Sequence, residues 1–329
     1  MGRDKTSPFS SLPNLIVHAD WSTVPGKRWL ARATRAKLDS ARLYLASAPE
    51  PAGELDSLLP RLRAQAGGGS VTLVGFDFPI GLPLAYARKA GITDFLAILP
   101  RLGFEEWSQF YEPASSFTEI GIYRPFYPSK VGNALQHYLI EGLGVASIDD
   151  LRRRCERAHT QRRAACPLFW TLGAQQVGKA AISGWRDVLA VPNGMPGYVA
   201  IWPFSGKLED LLKPGKVVVV ETYPAEFYTH LGVGFSAQRR GERSGKRSQR
   251  DRLANAPRLL DWAHKAGVAV APGLEAALRD GFGASPDGED RFDAVVGLFG
   301  MINVILGNRP AGEPDEEVIR KIEGWILGQ

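Results

Sequence analysis

The sequence predicts an α/β protein with one mixed five-stranded sheet, helices on its faces and a large, mostly helical insertion. Three short apolar runs crowd the first 46 residues and are joined by brief polar connections, the pattern of an antiparallel meander. A fourth run and two more near residue 200 are separated by helix-spaced segments, which implies crossover connections and a mixed sheet. Hydrophobic residues make up 44% and charged residues 23% of the chain, ordinary values for a globular protein with a sizeable core.

Taken in order, residues 1–13 read as a flexible N-terminus and 14–329 as a single domain. Asn14–Trp21 alternates apolar residues as far as Asp20, and Pro25-Gly26 marks a turn. Lys27–Thr34 and Ala41–Ala46 are the next two strand candidates. Gly53–Ala66 spaces Leu55, Leu58, Leu59 and Leu62 as a helix does, and Gly67–Ser70 ends it. Val71–Phe76 suits a buried strand and runs into Asp77-Phe78-Pro79-Ile80-Gly81-Leu82-Pro83. An insertion of helix and loop occupies about 84–197, with a basic helix candidate near Leu151–Arg163. Tyr198–Trp202 and Lys216–Val220 return to strand character, the second ending in Glu221-Thr222-Tyr223-Pro224. A basic stretch, Gln238–Arg252, precedes two helices, Ala256–Ala266 and one beginning near Asp290.

The chemistry lies in the acids. Asp20, Asp77 and Glu221 stand where apolar strands end, and Asp290 and Asp293 where a buried helix begins. Strand ends on one sheet edge are where α/β proteins bind ligands. A carboxylate beside a core is costly unless it is paired or metal-bound. Magnesium and manganese favour carboxylate and water oxygens, and phosphodiester cleavage by such metals needs three or four acids from different segments. Each acid also has a plainer role open to it. Asp20 can start a turn, and Asp77 can bond amides of the loop that follows it. Glu221 can be a strand-end acid, Asp290 a helix N-cap, and Asp293 a first-turn acid. Asp293 is the most telling, set among Phe292, Ala294, Val295 and Val296 and spaced i, i+3 from Asp290.

Val17-His-Ala-Asp20-Trp-Ser22, Gly75-Phe-Asp77-Phe-Pro-Ile-Gly-Leu-Pro83, Glu221-Thr-Tyr-Pro224 and Asp290-Arg-Phe-Asp293-Ala294 resemble, in order, the motifs of a family of predicted RNase H-like nucleases catalogued as domain of unknown function 429. The Asp-x-x-Asp-Ala helix start is also similar to that of Holliday-junction resolvases. The resemblance spans about residues 14–308. It implies an RNase H-like sheet, with Asp20, Asp77 and Asp293 as core ligands of Mg2+ or Mn2+ and Glu221 and Asp290 completing the site. Catalytic roles are expected for Asp20, Asp77, Glu221 and Asp293.

The net charge of +5 and pI near 9.2 lean toward phosphate-bearing partners, so nucleic acid or a nucleotide is the expected substrate. Lys246, Arg247 and Arg250 in the basic stretch, together with Lys179, are the phosphate-binding candidates; a solvated charged loop is the alternative. Gly173–Ala180 nearly matches a phosphate-binding loop, but Ala180 stands where Ser or Thr would ligate magnesium. His18, two residues before Asp20, shares its strand face. Cys155 and Cys166 lack zinc spacing and read as free thiols of a reducing, cytoplasmic protein. No stretch is long and apolar enough for a membrane span. The leading expectation is a metal-dependent nuclease. A phosphotransferase or ATPase of the same superfold and a non-catalytic nucleic-acid-binding protein are the alternatives.

Overall fold

The computed structural model describes residues 7–39, 42–129, 135–158, 162–173, 176–190, 196–235 and 245–329. Its strands are β1 (Leu15–Asp20), β2 (Trp29–Asp39), β3 (Arg42–Ala46), β4 (Glu50–Pro51), β5 (Thr72–Phe76), β6 (Val199–Ile201), β7 (Val217–Glu221) and β8 (Val268–Val270). They form one mixed sheet in the order β6-β7-β5-β1-β2-β3-β8, with β4 paired to β2. β1, β2 and β3 make the antiparallel meander. β5 and β7 join parallel to β1 and to each other. The sheet has eight strands among the described residues rather than five. β6, at one edge, is the strand read at Tyr198–Trp202; the unread additions are short, β8 at the other edge and β4, a two-residue pairing whose alternation is too brief to read in sequence.

The sheet is covered on both sides, and side-chain alternation decides what each side meets. Leu15, Val17, Val74, Phe76, Val217 and Val219 belong to one core cluster, with residues of the insertion. Ile16, Leu73, Val218 and Val220 belong to the other, with the helix Gly288–Ile305. That helix is apolar on nearly every side, as a helix buried all round must be. It lies close to the sheet because a glycine on each side makes room for a larger side chain of the other. A Cβ on Gly75 would meet Met301 Sδ at 2.5 Å, and one on Gly297 would overlap the His18 imidazole.

Between β5 and β6 the described residues contain short helices and 3-10 turns and no strand. The expected basic helix at Leu151–Arg163 is absent there. Its described part is two 3-10 turns, Ile148–Leu151 and Arg154–Glu156. Between them Arg153 leaves solvent altogether, a side chain that a solvated helix face would have kept in water. The helix expected at Ala256–Ala266 begins earlier, at Gln249. Residues 7–13, part of the expected flexible terminus, lie against the body of the protein. Ser7 Oγ donates to Ile305 O at 2.7 Å, and Phe9 and Leu12 pack on the second cluster. Cys155 and Cys166 are free thiols. No helix among the described residues is long and apolar enough to cross a membrane.

Because Gly297 holds the helix against His18, Gly297→Ala is expected to destabilise the fold by about 3 kcal/mol, the upper range for overpacking a core. Denaturant unfolding checks this, and an unchanged midpoint would show that the helix shifts freely.

Candidate functional site

Strand register brings the acids together. Ala19 pairs with Phe76 and Phe76 with Glu221. One residue further on, Asp77 N donates to Ala19 O at 3.0 Å and Thr222 N to Phe76 O at 2.9 Å. Asp20 has the parity of Ile16 and His18, and Asp77 that of Leu73 and Gly75, so both turn toward the helix Gly288–Ile305. Asp293 rises from the second turn of that helix and is 1% exposed. The three aspartates share one electrostatic environment. Burial raises Asp20 well above its ordinary value, and repulsion from Asp293 and Asp77 raises it further. Asp77 is pushed up to about 7 by burial; Lys246 opposes the shift, and Asp293 and Glu221 add to it. Asp290, in the first helical turn, is raised to about 6, mainly by burial. The helix starts at Gly288 after Asp287, so Asp290 is not its N-cap.

Lys246 supplies the counter-charge. Its ammonium donates to Asp293 Oδ2 and lies 3.4 Å from Glu289 Oε1. Burial disfavours its charge, but Asp293, Tyr228 and Asp20 outweigh that and hold it protonated. Tyr228 OH donates to the other oxygen of Asp293 at 2.5 Å. Lys246 was expected to meet phosphate; instead it sits on an acid of the cluster. His18 is buried and neutral, its pKa lowered to about 3 by desolvation.

Glu221 does not join the cluster, which corrects its expected role as a metal ligand. It has the parity of Val217 and Val219 and so turns to the opposite face. There Arg153 meets it with two parallel bonds of 2.6 Å, and Ile80 N donates to its Oε2 at 2.6 Å. Arg153 also bonds Glu156 Oε1 at 2.9 Å, Ile80 O at 2.9 Å and Glu323 O at 3.1 Å. Glu221, and not Asp77, therefore ties the Pro79–Pro83 loop. Arg153 was the functional side chain most thoroughly missed. The residue standing in register with Asp20 and Asp77 on the helix face is Thr222, and counting by twos from Val218 would have found it.

Beside the cluster lies a cavity of about 620 Å³. Asp77 is the one of the three aspartates on its wall. Lys27, Lys179, Arg162 and Arg163 supply positive charge there, and Trp21 and Tyr223 supply aromatic surface. Arg162 stacks over Tyr223, 5.3 Å from the ring centre, and pairs with Glu226 at 3.1 Å. Lys179 lines the cavity from the first turn of the helix Val177–Gly184. Arg247 extends outward, 3.7 Å from Glu289, and Arg250 is exposed on the helix Gln249–Lys265. Arg239, Arg240 and Arg243 lie outside the described residues. Among the described residues no three acids, histidines or cysteines form a ready metal-ligand group. No protein-family model, curated protein or solved structure matches this chain.

Arg153→Met leaves a buried Glu221 without its cation and is expected to cost about 3–5 kcal/mol in denaturant unfolding. A loss under about 1 kcal/mol, the scale of an exposed ion pair, would refute that. Asp77 gives a pH signature. Its folded pKa lies above its ordinary 3.8, so the folded chain keeps this proton to higher pH than the unfolded chain. The stability the proton confers is complete below pH 3.8 and is lost as pH rises through about 7. Asp77→Asn, a neutral isostere, is thus expected to raise the melting temperature at pH 8 and leave it nearly unchanged at acid pH. A difference independent of pH would contradict the assignment.

Proposed function

We propose that this chain is a divalent-metal-dependent phosphodiesterase, a nuclease, built on an RNase H-like sheet and related to the predicted nucleases its motifs resemble. The observation that carries this reading is the mutual influence of Asp20, Asp77 and Asp293, from two strand ends and a helix, in one acidic spot beside a basic, aromatic cavity. The inner strands β3-β2-β1-β5-β7, a meander continued by parallel crossovers, support the fold assignment.

The donor chemistry fits Mg2+ or Mn2+. These carboxylates repel one another, they already draw in a cation from Lys246, and hard divalent ions prefer carboxylate oxygen. Asp20, Asp77 and Asp293 would hold the metal. Bound there, it would supply the charge that activates water and stabilises a leaving oxygen in phosphodiester hydrolysis. The chain's own residues do the rest. Lys27, Lys179 and Arg163 receive phosphate oxygens as point and fork donors. Trp21 and Tyr223 offer apolar surface to a base or sugar. Arg153 opposes the upward pull of burial on Glu221 and keeps the Pro79–Pro83 loop in place, which fixes the backbone that carries Asp77. A second reading, phosphotransfer, draws on the turn after β1, whose Ser22, Thr23 and Lys27 line the same cavity.

Calorimetric titration of manganese into the wild type, Asp77→Asn and Asp293→Asn tests the site. Binding that either substitution weakens at least about tenfold, with hydrolysis of single- or double-stranded nucleic acid lost in both variants, is the expected result. Manganese binding that requires ATP would favour phosphotransfer. No metal binding, with salt-sensitive affinity for nucleic acid, would leave a non-catalytic binding protein.

A further inference from the structure

We propose that Lys246 is a tethered counter-cation that competes with the divalent ion for Asp293 and yields by moving onto Glu289. This rests on the metal-site reading above. Both oxygens of Asp293 are engaged, one by Tyr228 OH at 2.5 Å and the other by the Lys246 ammonium. For Asp293 to serve a metal, one partner must leave, and the two differ in their freedom to do so. The Tyr228 ring is wedged against Phe235 and Phe292, with ring centres 5.2 and 6.4 Å away. The Lys246 side chain is 40% exposed on a flexible four-carbon stem.

Its backbone, by contrast, is held. Arg252 Nη1 donates to Lys246 O at 2.6 Å, and Gly245 N donates to Asp251 Oδ2 at 2.8 Å. Only the side chain needs to move, and a counter-charge waits for it. Glu289 Oε1 is already 3.4 Å from the ammonium, on a side chain 24% exposed. The ammonium exchanges a buried carboxylate for one nearer water and remains paired throughout. Its charge also bears on Asp20 and Asp77, so the lysine balances the whole cluster. Lys246 therefore keeps the metal-free protein folded at the expense of metal affinity.

The test uses manganese chloride alone as the probe, with calorimetry for affinity and thermal unfolding for stability. Lys246→Gln is expected to bind manganese about tenfold more tightly than wild type, the scale of coupling between two ligands of one site. It should also melt lower without metal and gain more from manganese. Lys246→Arg, which keeps the charge, should retain the weaker affinity. Glu289→Gln, with the lysine intact, should weaken manganese binding because the displaced ammonium loses its second partner. Equal affinity in wild type and Lys246→Gln, or unchanged affinity in Glu289→Gln, overturns the exchange while the metal site stands. Manganese binding in none of these proteins overturns both.

Discussion

Side chains of β1, β5 and β7 alternate between two faces that are both closed to water, and the placement of every charged group near the sheet follows from that alternation. Asp20 and Asp77 fall on the side of the helix Gly288–Ile305, and Glu221 falls on the side of the insertion. Asp20 and Glu221 end up buried and Asp77 half-buried, and a carboxylate withdrawn from water must find a cation, a proton or a donor. The protein meets that demand differently on each face. Where one acid stands alone, a planar guanidinium matches it with two bonds. Where three converge, a single lysine serves, and Asp20 and Asp77 hold their protons to unusually high pH.

The insertion has a structural reason that its sequence does not advertise. Its side chains complete the core on one face, and its Arg153 reaches back to the end of β7, to the Pro79–Pro83 loop and to the segment at Glu323. One guanidinium thereby joins four stretches of chain far apart in sequence. Breaking such a network leaves an uncompensated charge in a dry interior, which costs more than forming the pair contributes. The rigidity gained is local to the backbone that presents Asp77. On the opposite face Lys246 holds the aspartates loosely, through a flexible stem at the rim. The pair at the loop is fully buried, and the lysine at the acids is partly exposed. That division is what the proposed exchange of Lys246 would use.

Much of this was legible beforehand. The apolar runs and their bounding turns marked β1, β2, β3, β5, β6 and β7 to within a few residues, because a strand's burial is written in its own alternation. The acids at the ends of those runs were visible for the same reason. The short strands β4 and β8 were not, since two or three residues carry no period. Nor was Arg153, which lies among other arginines in a stretch whose sequence suggests a basic helix. Glu221 was expected to complete the site of the aspartates, although its parity with Val217 and Val219 places it on the other face.

The sequence alone determined the strands, the buried C-terminal helix and the acids beside them, since each depends on the pattern of near neighbours. The tertiary structure alone decided which acids meet and what neutralises them. Arg153 and Glu221 are 68 positions apart, and Lys246 and Asp293 are 47 apart. Pairings at such distances are set by strand register and helix packing, because a charge buried by the fold can use only the partner that the fold brings within bonding distance.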